Sequence, residues 1–230
     1  MNGFAHEFRR YALHNHGIGT LHTDGYFKRM MPQAITPYII EERPLHMTQM
    51  DVFSRLMMDR IIFVGEEVHE QMANIIQAQL LFLQSLDAKR PIHLYINSPG
   101  GSVYAGLGIY DTMQFVSPDV ITTCTGVALS FGAVLLCAGA AGKRSALTHS
   151  RIMLHQPSAG TQGKVSDMEI AVREFLKLKQ ELNEIIALHT GQTKEKVNEV
   201  SDRDYWMKAD EARQFGIIDE VYSAHKTTGT

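Results

Sequence analysis

The chain has 230 residues and a mass of 25.8 kDa, and 44% of its residues are hydrophobic against 20% charged, which is typical of one globular domain. Its formal net charge is −3 and it has neither a basic cluster nor a charged tail, so charge gives no reason to expect nucleic acid or an anionic membrane as a partner. No apolar run reaches the roughly 20 residues of a membrane span and the N-terminus lacks an apolar signal core, so we expect a cytoplasmic protein.

The two cysteines, Cys124 and Cys137, lie inside apolar segments rather than in a motif with paired spacing. This placement predicts buried thiols in a reducing compartment. It indicates no disulfide and no zinc site, and nothing else in the sequence indicates a metal or a cofactor.

Residues 1–33 differ from the rest of the chain, because glycine and polar residues break any periodicity. This pattern predicts a flexible leader. A metal site built from His6, His14, His16 and His22 is an alternative, but the segment has neither cysteine nor a convergent acidic cluster, so a polar disordered segment is favoured.

The globular part begins after this leader. Pro37 to Pro44 is a short extended patch, and a polar stretch leads from it to the segment Val52 to Arg60. Ile61 to Val64 is a candidate buried strand. Apolar residues then recur at helical spacing from Val68 to Leu86, which predicts one buried face of an amphipathic helix.

The next element is a strand that ends in a glycine turn. Apolar residues alternate with others from Ile92 to Ile96, before the turn at residues 97–101. Two glycines allow the backbone to approach another group closely, and Gly101 supplies an amide without a side chain; an ordinary glycine turn is the alternative. A helix from Tyr104 to Phe115 and a strand from Val120 to Thr125 come next, and this order predicts an α/β fold built as a spiral of ββα units.

The stretch from Gly126 to Pro157 holds a serine and a histidine in distinctive settings. Ser130 lies where a β-branched strand gives way to an apolar helical segment, at a turn that exposes a nucleophile beside unpaired helix amides. A serine needs a base to take its proton, and His155 comes after a short apolar run, Arg151 to Leu154. Spacing alone does not place the two together, and a helix N-cap serine and a structural histidine remain the alternatives.

A polar segment at residues 158–164 precedes a long helix. Ser166 and Glu169 have the spacing of a capping box, and Gly191 is a natural stop. The helix between them would be about 36 Å long at ~1.5 Å per residue. Such a length is typical of an element that projects to meet a partner, with a core-packing helix as the alternative.

The C-terminal part ends in a short helix and a strand. Asp210 is predicted to be the N-cap of a helix over Glu211 to Phe215, which Gly216 ends. A final strand is expected from Ile217 to Val221. Residues 223–230 are polar and are expected to fray.

Four motifs in this order resemble the ClpP family, the proteolytic subunits of the Clp self-compartmentalising serine proteases. The resemblance runs without an obvious gap from about Thr36 to Val221. The motifs are INSPGGSV (Ile96 to Val103), GxxxSxGA (Gly126 to Ala133), HQP (His155 to Pro157) and SDRDYWM (Ser201 to Met207). Four ordered motifs are a far stronger signal than any one of them.

The resemblance implies Ser130 as nucleophile, His155 as general base and Asp204 as the acid that orients the histidine. It also implies that the amides of Gly101 and Phe131 form the oxyanion hole. Asp204 lies among several other acids, so its assignment rests on the resemblance alone.

The same resemblance implies an assembly and its partners. The chain would be a homo-oligomer of two stacked heptameric rings, a tetradecamer, interlocked by a projecting strand-helix handle and fed with unfolded proteins by an AAA+ unfoldase of the ClpX, ClpA or ClpC type. Residues 37–44 would line the axial entrance. Tyr95, Phe115 and Leu147 would lie in the apolar clefts that dock the loops of the ATPase.

The resemblance also divides the chain into three segments. Residues 1–33 would be a propeptide, cleaved near Gln33 and Ala34 by the assembled protease. Residues 34–222 would form the protease domain, and residues 223–230 a polar tail.

Two departures from the family pattern lie beside the catalytic residues. The family usually has Ala-Ser-Met-Gly where this chain has residues 129–132, with Leu129 and Phe131 as the differences. After HQP this chain has Ser158 and Ala159 where the family often has a bulky residue or glycine. Both differences put the substrate preference in doubt, and Phe131 could reshape the primary specificity pocket.

Two other functions compete with a protease. A crotonase-type acyl-CoA enzyme shares this kind of spiral fold and its oxyanion-binding amides, but it needs no Ser-His-Asp set. An inactive scaffold subunit of a mixed barrel is opposed by the intact Ser130, His155 and Asp204. The chain has no GxxxxGK[ST] phosphate loop, so ATP-dependent unfolding would be powered by a separate protein.

Overall fold

A computed structural model describes residues 38–43 and 46–223, with side chains from residue 50 onward. The chain divides into two units, residues 1–52 and 53–230, and each is described by itself. The predicted leader, its four histidines and its cleavage position lie outside the described residues, as do residues 224–230 of the predicted tail.

The described part of the first unit is a hairpin. β1 (Tyr38–Arg43) pairs antiparallel with β2 (His46–Asp51), with Tyr38 opposite Asp51 and Arg43 opposite His46. The extended patch predicted at residues 37–44 is therefore confirmed as a strand. The polar stretch after it is a second strand, which the sequence did not predict.

The second unit alternates strands and helices, and the first residue of its first helix is the last residue of the first unit. Its elements in chain order are α1 (Val52–Met58), β3 (Ile61–Val64), α2 (Glu70–Leu86), β4 (Ile92–Ser98), α3 (Val103–Phe115), β5 (Val120–Leu129), α4 (Phe131–Cys137), β6 (Arg144–Leu147), β7 (Arg151–Leu154), α5 (Val165–Thr190), α6 (Lys194–Val200), β8 (Tyr205–Lys208), α7 (Ala209–Phe215) and β9 (Glu220–Tyr222).

The strands of the second unit form one mostly parallel sheet. Its order is β3-β4-β5-β6-β9, with every neighbouring pair parallel. β7 pairs parallel with the end of β5 and antiparallel with β8. The expected α/β class is confirmed, and the sheet is mostly parallel.

The core has the predicted periodicities. In β4, Ile92, Leu94 and Ile96 are fully buried while His93 and Tyr95 are half-buried, as the alternation predicts. One face of α2 is buried, as its helical spacing predicts. All seven residues of α4 are buried, because this helix is hydrophobic on every side and lies inside the fold.

α5 is the predicted long helix. It has 26 residues, or about 39 Å at ~1.5 Å per residue. Its buried residues all lie in its second half, from Leu178 to Ile186, and residues 165–177 have none. Residues 158–164 pair with no strand in the part of the protomer that the structure describes, so only the helix of the expected handle is formed within one chain.

Two predicted helix caps are wrong. α5 begins one residue before Ser166, so this side chain lies inside the first turn, and the cap residue is Lys164 without a side-chain cap bond. Asp210 likewise lies inside α7, because β8 runs directly into this helix and leaves Lys208 as the cap. The carboxylate of Glu211 accepts a hydrogen bond from the Lys208 amide at 2.7 Å instead.

The last strand also starts later than predicted. Gly216 ends α7 in a left-handed conformation, and the amide of Ile217 still donates to the carbonyl of Ala212 in that helix. Strand pairing begins only at Glu220. The predicted start at Ile217 is therefore wrong by three residues.

A buried arginine joins the C-terminal end of α5 to the sheet. Arg144 on β6 donates to both carboxylate oxygens of Asp219, at 2.9 and 2.6 Å, and to the carbonyls of Cys137 and His189. The Arg144 guanidinium lowers the pKa of Asp219, mainly through this side-chain hydrogen bond. The second half of α5 is thereby fixed to the core that holds the sheet.

Both cysteines are free and buried, as predicted. Burial raises the pKa of Cys137 to about 12, so this thiol stays protonated near neutral pH. No helix within residues 38–43 and 46–223 has the length and apolarity needed to cross a membrane.

Candidate active site

Ser130 is the single residue between β5 and α4, at the strand-to-helix turn that the sequence predicts. Its backbone has φ 52° and ψ −121°, a conformation that a residue with a side chain seldom adopts. Its amide donates to the carbonyl of Met153 at 2.9 Å, and its carbonyl accepts from Ala133. The turn is therefore held by the sheet on one side and by the helix on the other.

The sheet brings His155 to Ser130. β5 and β7 are parallel neighbours with Leu129 opposite Met153, so the residues that come after both strands leave the same edge of the sheet. The Nε2 atom of His155 lies 2.8 Å from the Oγ atom of Ser130. This distance allows a proton to pass from the hydroxyl to the imidazole.

Asp204 is brought in by the antiparallel partner of β7. β8 pairs with β7 so that Tyr205 lies opposite Leu154, which places Asp204 beside His155. The Oδ1 atom of Asp204 is 3.3 Å from Nδ1 of His155, and the carboxylate side chain is 60% exposed. The three residues named from the resemblance thus lie in one chain of contacts.

The glycine turn lies on the other side of Ser130. Gly100 and Gly101 have φ 87° and 148°, which favour glycine. A Cβ atom on Gly100 would lie 2.7 Å from Cβ of Ser130, and one on Gly101 would lie 2.2 Å from the carbonyl oxygen of Val68. The close backbone approach predicted for this turn is therefore confirmed, and it leaves no room for a side chain.

The amide of Gly101 points away from the segment that holds the turn. The amide of Val68 donates to the carbonyl of Gly100 at 2.7 Å, and within one peptide group the carbonyl and the next amide point in opposite directions. The N–H of Gly101 therefore faces away from Val68, and the preceding glycine is the one that abuts Ser130.

Phe131 is the first residue of α4. Its amide belongs to the first turn of the helix and so has no acceptor within the helix. Its ring is buried, with 2% of the residue exposed, and a Cβ atom on Gly106 would lie 2.3 Å from the ring. Phe131 is thus a buried residue whose ring packs against α3 and whose amide has no acceptor within the helix.

Three residues that the sequence did not single out support this site. Asn97 accepts a hydrogen bond from the amide of Val127, where β5 carries extra residues relative to β4. Gln156 donates to the carbonyl of Asp202 and accepts from Lys179 of α5. Ser98 lies inside the glycine turn, and both Asn97 and Ser98 belong to the INSPGGSV motif, which is the signal that could have found them.

The three predicted docking residues lie on different elements. Tyr95 stacks on Phe63, with ring centroids 6.5 Å apart. Phe115, at the end of α3, is 74% exposed, and Leu147 is also exposed. The cavity beside Leu147, about 740 Å³ in volume, is lined by neither of the two aromatic residues, so this cavity does not bring the three side chains together.

Comparison with known proteins gives one consistent result. The family model described as "Clp protease" matches residues 45–225. The chain is similar to the "ATP-dependent Clp protease proteolytic subunit" of Bacteroides fragilis strain YCH46, with 59% identity over 94% of this chain and 97% of that protein. It is also similar to the protein of the same name from Porphyromonas gingivalis, with 54% identity over 96% of this chain and 99% of that protein.

Proposed function

The chain belongs to the Clp protease family and is a serine peptidase subunit of the Clp type, and on this premise we propose that Ser130 is its nucleophile, His155 its general base and Asp204 the acid that orients the histidine. The observation that carries the assignment is the 2.8 Å contact between Oγ of Ser130 and Nε2 of His155. The proposed substrates are unfolded polypeptides.

The geometry suggests how each residue acts. His155 takes the proton of Ser130 as the Oγ atom attacks the peptide carbonyl, and it then protonates the leaving amine. Asp204 accepts a hydrogen bond from Nδ1 of His155, which keeps the lone pair of Nε2 directed at Ser130. The amides of Gly101 and Phe131 are the proposed donors to the oxyanion that forms.

Fluorophosphonate labelling tests this assignment. The reagent forms a covalent bond only with an activated serine, so we expect one label on each wild-type chain, at Ser130, and none on Ser130→Ala. A crotonase-type enzyme or an inactive scaffold subunit would not be labelled. A label on any other serine would refute the assignment.

As a Clp protease subunit, the chain functions in a barrel with Clp ATPases. We propose two stacked heptameric rings, an unfoldase of the ClpX, ClpA or ClpC type, and a cytoplasmic location. The exposed first half of α5 is available for contact between rings, and the absence of a phosphate loop from the sequence agrees with a separate ATPase. Native mass spectrometry should give the mass of 14 chains, as the proposed pair of heptameric rings implies; a different stoichiometry would refute this arrangement.

We also propose that residues 1–33 are a leader removed by the assembled protease near Gln33 and Ala34, that residues 34–222 are the protease domain, and that residues 223–230 are a tail. Intact-mass measurement tests the first point. Ser130→Ala, expressed where no wild-type copy exists, should keep the leader. A trimmed mutant would show that another protease removes it.

The half-buried Tyr95 and the exposed Phe115 and Leu147 are proposed to dock the ATPase in clefts between neighbouring subunits. Tyr95→Ala should spare hydrolysis of short peptides, which diffuse in unaided, and should weaken ATPase binding about thirtyfold, the effect of losing one aromatic anchor. The measurements are peptide hydrolysis and ATP-dependent degradation of a folded substrate. Loss of both activities with dissociation of the assembly would show that Tyr95 is structural instead.

A further inference from the structure

The buried hydroxyl of Ser98 makes two hydrogen bonds inside the glycine turn. Ser98 has no exposed surface. Its Oγ atom donates to the carbonyl of Glu66 at 2.6 Å and accepts from the amide of Gly100 at 3.2 Å. One hydroxyl therefore joins the turn to the segment that precedes α2.

The backbone alone fixes only part of this turn. The amide of Val68 donates to the carbonyl of Gly100, and the amide of Ser102 donates to the carbonyl of Val68, both at 2.7 Å. These bonds orient the peptide groups that lie after Gly100. The amide of Gly100 is bonded by Ser98 instead, and a glycine at positive φ has little conformational preference of its own.

We propose that Ser98 is a positioning residue for the peptidase reaction, holding the Gly100–Gly101 backbone so that the Gly101 amide meets the oxyanion. This inference rests on the proposed function of Ser130. Ser98 acts through the turn and does not touch the substrate. Its loss would leave the Gly100 amide and the Glu66 carbonyl without their buried partner, which favours a shift of the turn.

The size of the effect depends on the contribution of an oxyanion donor. Removal of one such donor lowers kcat by about 10²–10³-fold. A displaced donor loses only part of its contribution to kcat, so Ser98→Ala should lower kcat about 10- to 100-fold. KM should stay within about twofold, because the amide acts on the transition state and not on the bound peptide.

Ser145→Ala is the matched control. Ser145 on β6 is also buried, and its hydroxyl donates to the carbonyl of Thr122 and contacts Thr123 Oγ1, so its removal also deletes two hydrogen bonds. Neither bond involves the glycine turn. Both variants should lose thermal stability, but only Ser98→Ala should lose kcat.

The experiment compares wild type, Ser98→Ala and Ser145→Ala as full-length assembled proteins on a short fluorogenic peptide. A peptide boronate, which forms a tetrahedral adduct with the serine, should bind Ser98→Ala more weakly by the same factor as the loss in kcat. The pH midpoint of kcat/KM should stay at the wild-type value, since His155 is untouched. Ser98→Thr, which keeps the hydroxyl, should recover at least part of the activity.

Two outcomes would overturn the inference. One is a kcat of Ser98→Ala within about threefold of Ser145→Ala, and the other is a loss of kcat with unchanged boronate affinity. If Ser98→Ala does not assemble, Ser98→Cys replaces it, because a thiol is a weaker hydrogen-bond donor of similar volume. A wild-type kcat in Ser98→Cys would also overturn the inference. A wild-type chain that resists fluorophosphonate would refute the proposed function itself, whereas a labelled wild type beside an unimpaired Ser98→Ala refutes this inference alone.

Discussion

The two ends of the proposed triad are built differently. Ser130 precedes a helix with no exposed residue, and its contact with His155 is 2.8 Å long. Asp204 lies on a surface loop, with its side chain 60% exposed and 3.3 Å from His155. The hydrophobic core fixes the proposed nucleophile, whereas the pairing of β8 with β7 and surface hydrogen bonds fix the proposed acid. Changes elsewhere in the molecule should therefore alter activity more easily through the acid.

Besides the pairing of β8 with β7, Gln156 connects the acid end to the rest of the molecule. Its backbone amide donates to the carbonyl of Ser201 at 2.6 Å, and its side chain donates to the carbonyl of Asp202 at 3.0 Å. Lys179 of α5 donates to the same side chain at 3.0 Å. A displacement of α5 can therefore reach the loop of Asp204 through one glutamine.

The largest effect is expected at Ser130, the end of the proposed triad that the hydrophobic core holds. Ser130→Ala should lower peptide hydrolysis by about 10⁴-fold or more, because the nucleophile is lost from a set of residues that acts as a unit. Assembly and folding should be unchanged, since one hydroxyl is removed without a change in backbone preference. The measurement is initial-rate hydrolysis with size-exclusion chromatography, and substantial activity in a pure mutant would exclude Ser130 as nucleophile.

Asp204→Asn should have a smaller effect, a loss in kcat of about 10²–10³-fold, because the amide can present the wrong group to Nδ1 of His155 while solvent partly replaces the exposed carboxylate. Asp202→Asn is the matched control, since Asp202 is a neighbouring exposed acid without a contact to the histidine among the described residues, and it should stay within about threefold of wild type. Equal losses in the two variants would contradict the assignment of Asp204.

Gln156→Ala should lower kcat by about tenfold, because the loop before Asp204 loses side-chain hydrogen bonds but keeps the backbone bond from residue 156. Gln180→Ala removes an exposed glutamine of α5 that bonds only Glu184 among the described residues, and it should have wild-type rates. Steady-state kinetics of both variants provides the comparison. Wild-type kinetics for Gln156→Ala would show that the acid end does not depend on this contact.

The smallest change in rate is expected for Phe131→Met. The backbone amide survives, so kcat should stay within about threefold of wild type. The two side chains have similar volumes, so the free energy of unfolding should fall by less than about 1.5 kcal/mol. If the ring borders the pocket for the residue before the scissile bond, cleavage preference should shift. Identical cleavage maps of a peptide library would place Phe131 away from that pocket.

Much of the fold was predictable because its signals are local. The β-branched run before Ser130 gives β5, and the alternation in Ile92 to Ile96 gives β4. The predictions of helix caps at Ser166 and Asp210 were wrong because each helix begins before that residue, which no spacing rule detects. The second strand of the hairpin, at residues 46–51, was not predicted because its sequence has no clear alternation of apolar and polar residues.

The site was less predictable than the fold, since it depends on which strands become neighbours. Ser130 and His155 meet because β7 pairs with the end of β5, and this pairing is set by the tertiary structure rather than by local sequence. Charge content could not select Asp204 among nearby acids, so only the family resemblance named it. Ser98 and Gln156 are proposed to act through hydrogen bonds to the backbone, which no periodicity or spacing indicates, so only the INSPGGSV and HQP motifs mark the two residues.

The positive φ of Ser130 has a consequence for how this sequence can evolve. Glycine adopts that conformation without strain, whereas a residue with a side chain there costs on the order of 1–3 kcal/mol. Random mutation filtered only for folding would therefore tend to replace this serine with glycine, and the chain would gain stability as it lost its proposed nucleophile. The proposed role of Ser130 as nucleophile would thus be kept at a cost in stability.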